Sequence, residues 1–190
     1  MLKKTLAVLL LTSLTSACAP LLLVGAAGGS ATVLNDRRTL GTQVEDQNIE
    51  LKAEQYIRDD ADLYTQANIN VISYNQVVLL VGQAPSDSLK LKAENLVKTI
   101  DKVKRIHNEI RLLAPSASLT SASDAWITSK VKSNLVADAN IESNRIKIYT
   151  ENGEVFLMGL VTNSERAKAV DVARHVKGVQ RVVEVFELID

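Results

Sequence analysis

The stretch Val77-Val78-Leu79-Leu80-Val81-Gly82 decides the fold. It reads as a strand whose residues are apolar at successive rather than alternate positions, so both of its faces must be covered. The run returns as Glu154-Val155-Phe156-Leu157-Met158-Gly159, 77 positions further on. At the same offset Ile69 and Val71 recur as Ile146 and Ile148; at 76, Ile100, Val103 and Ile106 recur as Val176, Val179 and Val182. Self-similarity on this scale means two copies of one small module. One face of each strand is expected on the module's own helices. The sister module is the natural cover for the other, because so short a module buries only a small core.

Outward from the strand, each module reads helix, strand, strand, helix, strand, an α+β order. In the second, Ile127, Val131 and Leu135 recur every four residues, the spacing of a buried helical stripe, with Ser123 and Asp124 as candidate N-caps. Glu151-Asn152-Gly153 is a hairpin signal, since Asn-Gly accepts positive φ. Asn163 or Ser164 is expected to cap a helix running to about Val176, with Gly178 as its stop. The first module follows the same order, with Asn75-Gln76 at the turn and Ser86 or Asp87 at the second cap. Gly82 and Gly159 read as structural glycines at strand ends, where another backbone comes close.

At the N-terminus Lys3, Lys4, the apolar run Leu6–Leu14 and small residues before Cys18 have the layout of a secretory signal. That run is shorter than the roughly 20 residues a membrane span needs. Leu14-Thr15-Ser16-Ala17-Cys18 resembles the lipobox of bacterial lipoproteins, which implies cleavage before Cys18 and its acylation, palmitate included. Ala19, where Asp would imply inner-membrane retention, points to the outer membrane. With a single Cys, no intramolecular disulfide framework forms. The expected organisation is a signal peptide over 1–17, a lipidated tether over 18–45, modules over 46–113 and 124–190, and a Pro/Ser/Ala linker over 114–123. The apolar, Gly-rich residues 19–34 read as tether, with a second membrane segment as the alternative.

Without Lys3 and Lys4 the 22 basic residues fall to 20 against 22 acidic, a net charge of −2. Each module carries nine basic and ten acidic side chains. No global basic field exists, which argues against nucleic acid as a partner. The two histidines, His107 and His175, lie in no nucleophile, metal or phosphate-loop motif, and Gly25, Gly28 and Gly29 lack a strand–turn–helix frame. No enzyme, no cofactor and no metal site is expected.

The hydrophobic strands ending in Gly82 and Gly159 are followed by Val103-Lys-Arg-Ile106-His-Asn108 and Gly178-Val179-Gln-Arg-Val182. These runs make each module resemble a BON domain. A lipobox followed by two BON domains is similar to a type of outer-membrane lipoprotein, and Gly41-Thr42-Gln43-Val44 and Thr150-Glu-Asn-Gly-Glu-Val-Phe-Leu-Met-Gly-Leu-Val-Thr162 strengthen that match. That resemblance implies tandem α-β-β-α-β domains with helices on a small mixed sheet and a non-enzymatic role. It further implies a periplasm-facing location, affinity for phospholipid, and maintenance of the outer membrane near the division site.

The copies differ most on their first helices. Ile49, Ala53 and Ile57 pair with Ile127, Val131 and Leu135, and the opposite faces follow at 100° per residue. The second module's face carries Trp126, Ser129, Ser133, Val136 and Ala137, flanked by Lys130 and Lys132. The first carries Asn48, Leu51, Gln55, Arg58 and Asp59, flanked by Lys52 and Glu54. An indole beside lysines suits an anionic lipid interface, of the phosphatidylglycerol or cardiolipin class. The alternative for Trp126 is a fold back onto the linker or the first module. The alternative function is an envelope adaptor that binds a protein partner through the first module or a sheet edge.

Overall fold

The computed structural model describes residues 36–114, 121–139 and 141–189. The expected signal peptide, Cys18, most of the tether, and linker residues 115–120 lie outside the described residues. Thr39 opens helix α1 (Leu40–Asp59) by accepting from the Thr42 N–H, and a short helix α2 (Ala61–Gln66) follows, capped by Asp60. Strands β1 (Asn68–Tyr74) and β2 (Val77–Ala84), helix α3 (Asp87–Lys98) and strand β3 (Arg105–Leu112) complete the first module. The second repeats the order with α4 (Ser121–Ala137), β4 (Ile146–Glu151), β5 (Glu154–Val161), α5 (Asn163–Arg174) and β6 (Arg181–Leu188). In each sheet the middle strand pairs antiparallel with its hairpin partner and parallel with the strand that returns after the helix.

Positive φ falls where the hairpins turn, at Asn75 and Gln76 and at Asn152 and Gly153. The twist of a two-residue hairpin requires it there. Gly82 has φ +121°, and a Cβ on it would strike the Asn68 carbonyl oxygen; one on Gly159 would meet the Arg145 carbonyl oxygen at 2.5 Å. Both glycines are therefore fixed by the approach of a neighbouring backbone.

Every residue of β2 is buried. Val78, Leu80 and Ala84 pack with Ile49, Ala53, Leu89, Ala93 and Val97 of α1 and α3. Ile72, Tyr74, Val77, Leu79 and Val81 turn to the other face and meet Phe156, Met158 and Val185 of the second module. Val155, Leu157 and Val161 in turn face Ile127, Val131, Leu135, Ala169 and Ala173. The result is four layers, helices–sheet–sheet–helices, with residues 34–190 forming one compact unit. The unbroken apolar run of β2 is explained by this double covering.

Several element boundaries depart from the sequence reading. Helix α1 starts inside the stretch expected to be tether, and α2 is an addition to the five-element order. Helix α4 begins at Ser121, ahead of both candidate caps. The N-cap of α5 is Thr162, not Asn163 or Ser164: its hydroxyl accepts from the Glu165 N–H while the Glu165 carboxylate accepts from the Thr162 N–H. That reciprocal pair satisfies two orphan donors at once, which neither following residue achieves.

Candidate functional site

The core stripe of α4, Ile127, Val131 and Leu135, is at most 2% exposed, so the opposite face of the helix must look outward. Trp126 is 47% exposed and Val136 62%, and Ser129, Lys130, Lys132, Ser133 and Ala137 are exposed with them. The indole does not fold back into a core. Lys130 Nζ stands 5.9 Å from its ring centroid, within cation–π range. The two serine hydroxyls donate to carbonyls one turn back, Ser129 to Ala125 at 2.9 Å and Ser133 to Ser129 at 2.8 Å. Their hydrogens are thus engaged within the helix, and their oxygens remain as acceptors. The single acid of α4, Asp124, is buried, so the exposed face carries cations and an aromatic ring without a carboxylate.

Asp124 anchors the helix. Its carboxylate accepts from the Asn152 and Gly153 N–H groups, each at 2.8 Å, and so clasps α4 to the β4–β5 turn. Asp46 does the same in the first module, accepting from the Asn75 and Gln76 N–H groups and the Ser73 hydroxyl at 2.7–2.8 Å. Asp124 was expected as a helix cap, and Asp46 was not singled out. Their signal was present: an aspartate three residues before the first core isoleucine of each copy, Ile49 and Ile127.

The BON-domain family matches residues 45–114 and 123–190. The chain belongs to the BON family and, within it, to the dual-domain DolP/YraP type. It is 38% identical over 168 residues to the outer membrane lipoprotein DolP of Haemophilus influenzae, covering 88% of this chain and 86% of that protein. It is 40% identical over 154 residues to a 21 kDa hemolysin of Actinobacillus pleuropneumoniae, covering 81% and 79%. The C-terminal domain of CdsD, a structural protein of the type III secretion system of Chlamydia trachomatis, superposes with a TM-score of 0.30 at 13% identity, covering 76% and 67%. That likeness is too loose to carry an argument. Membership of the DolP/YraP type makes the chain an outer-membrane lipoprotein.

The two BON domains present different outer faces, though the contrast is less sharp than the sequence suggested. On α1, Asn48, Gln55, Arg58, Asp59, Lys52 and Glu54 are exposed, as the repeat alignment implied. Because the helix starts earlier, Leu40 and Val44 join Leu51 on its outward face, at 63%, 61% and 55% exposure. The layering puts α1 and α4 on opposite outer sides of the double sheet. A flat surface can therefore meet only one of them.

Charged contacts brace the second BON domain against the lead-in to α1 at one end of the seam and against the first BON domain at the other. Arg37 donates to the Leu160 carbonyl at 2.7 Å and grips Glu165 with both terminal guanidinium nitrogens, and Arg145 joins at 3.0 Å. Partial burial raises the Glu165 carboxyl, but Arg37, the Thr162 N–H and Arg145 outweigh it and hold it down at about 2. At the other end Glu154 sits between Arg111 and Arg181; burial pushes its pKa up and the two guanidiniums bring it below its ordinary value. Lys147 reaches across to Glu50 at 2.6 Å. His107 lies half-buried on β3 and His175 caps α5. Among the described residues no group of His, Cys, Asp and Glu could hold a metal, and no helix is long and apolar enough to cross a membrane.

Proposed function

We propose that this lipoprotein is non-enzymatic, is held on the outer membrane by acylated Cys18 facing the periplasm, and docks anionic phospholipid on α4. Its role is to maintain the outer membrane at the division site. The observation that carries the reading is the outward face of α4, where Trp126 stands beside Lys130 with no carboxylate exposed. An indole settles at headgroup depth, with its ring in the apolar boundary and its N–H wet. Lys130 and Lys132 draw anionic headgroups at about 1 kcal/mol each near a charged surface. Val136 and Ala137 add apolar contact nearly three turns further along the helix. The anchor raises the effective concentration of the face at the bilayer, so a weak intrinsic affinity suffices.

Co-sedimentation of residues 34–190 with phosphatidylglycerol vesicles tests this. Wild type should pellet with them and not with phosphatidylcholine vesicles. Trp126→Asp should stay in the supernatant while keeping its thermal midpoint. Undiminished pelleting of that variant would refute the assignment of α4.

A further inference from the structure

The four sheet edges are treated unequally. On β1, the outward N–H of Ser73 donates to Glu50 at 2.7 Å and its carbonyl accepts from Lys147 at 3.1 Å. On β3, the outward N–H of Ile110 donates to the Asn108 side chain at 3.3 Å and its carbonyl accepts from Lys90 at 2.8 Å. Side chains thus occupy both edges of the first sheet, a device that stops another strand from adding there.

Among the described residues, the second sheet lacks these plugs. The repeat places Thr150 where Ser73 stands and Phe186 where Ile110 stands, opposite Val155 and Gly159 in register. The counterpart of Glu50 is Thr128, whose hydroxyl bonds the Thr150 side chain at 2.7 Å instead of the main chain. The counterparts of Lys90 and Asn108 are Arg166 and Glu184, which pair with each other at 3.6 Å. Among the described residues, no side chain takes up the outward main-chain groups of Thr150 or Phe186.

The edge of β4 also has room beside it. A groove of about 600 Å³ runs between it and the start of β1, lined by Thr128, Ser129, Thr150, Glu151 and, on the opposite wall, Asn68 and Asn70. An added strand would lie about 4.8 Å from β4 and turn its second edge towards those two amides. The charge in the groove is all of one sign. Asp124 is spent on the turn N–H groups; among the described residues Glu151 receives only neutral donors, from Tyr149, Gln83 and Asn152, and no lysine or arginine lines the space. That excludes an anionic headgroup as the fitting occupant and favours a basic one.

We propose that the free edge of β4 receives an extended segment of another polypeptide as an added strand, with a Lys or Arg of that segment opposite Glu151. The site lies beside the lipid face of α4 and does not depend on it.

A random decapeptide display library, selected against the full chain in detergent micelles, supplies the probe. Selected peptides should carry a Lys or Arg, and their affinity, read by fluorescence polarisation, should fall at least about tenfold for Glu151→Gln. Methylating alternate backbone nitrogens of the peptide, in the one phase that faces β4, should cost at least about tenfold, the worth of roughly two net main-chain hydrogen bonds. This second measurement uses unaltered protein and needs no variant to fold. Thr150→Pro, which removes the outward N–H at an edge position where proline is tolerated, should match it. A library that yields no binder, or binders indifferent to methylation in either phase, would overturn the proposal. So would self-association of the chain that Thr150→Pro abolishes, since it would give the groove to a second copy.

Discussion

Replacing Phe156 by Ala should destabilise both BON domains, although the residue belongs to the second. Phe156 is 1% exposed and sits in the shared cluster with Leu79 and Val81 of β2, not among the residues facing α4 and α5. Truncating so large a buried aromatic side chain costs about 3–5 kcal/mol in lost transfer energy and residual cavity. For a unit of this size each kcal/mol lowers the melting temperature by about 2–4 °C, so the fall should be roughly 6–20 °C. Native-state hydrogen exchange on residues 34–190 separates the domains. The amides of Leu79, Leu80 and Val81 should lose protection by the same free energy as those of Leu157 and Met158. Unchanged protection in β2, with loss confined to β5, would mean that the domains fold independently and that the seam contributes nothing.

Asp46→Ala should cost about 2–4 kcal/mol in urea unfolding, because it strands the Asn75 and Gln76 N–H groups and the Ser73 hydroxyl. Glu165 has a folded-state pKa of about 2 against an ordinary value of 4.5, so its contribution is complete above pH 4.5 and is lost as pH falls towards 2. Arg37→Ala should therefore flatten the acid limb of stability between pH 4.5 and 2, by about 1–2 kcal/mol after allowance for solvent screening, as read from chemical unfolding at a series of pH values. Changing Lys130 and Lys132 together to Gln should weaken binding to phosphatidylglycerol vesicles about 10–30-fold and reduce its salt dependence, with the fold intact by circular dichroism.

Much of the architecture was legible because β2 and β5 announce it. Their unbroken apolar runs require cover on both faces, and the 77-residue repeat names the cover. Helix starts were not legible. Thr162, Asn163 and Ser164 all have capping side chains, and only the spacing of Thr162 to Glu165 singles out the first. Asp124 looks like a cap by residue type, but tertiary structure claims its carboxylate for a turn 28 residues away. Arg37 reads as part of a polar lead-in, and nothing local reveals that it clasps Glu165, 128 residues on. The exposed face of α4 was readable from helical period alone, since the stripe Ile127, Val131 and Leu135 fixes its opposite. The groove at β4 was not, because it is built from β1 of one domain and α4 of the other.

The central claim is that α4 meets anionic lipid, and Trp126, the sole tryptophan, reports on that directly. Emission from residues 34–190 should begin at long wavelength, as a 47% exposed indole requires. It should shift to the blue as phosphatidylglycerol vesicles are added, return to long wavelength with added salt, and stay unshifted with phosphatidylcholine. Emission that holds its wavelength through the phosphatidylglycerol titration, while the protein pellets with those vesicles, would show that the lipid contact lies elsewhere and contradict the account.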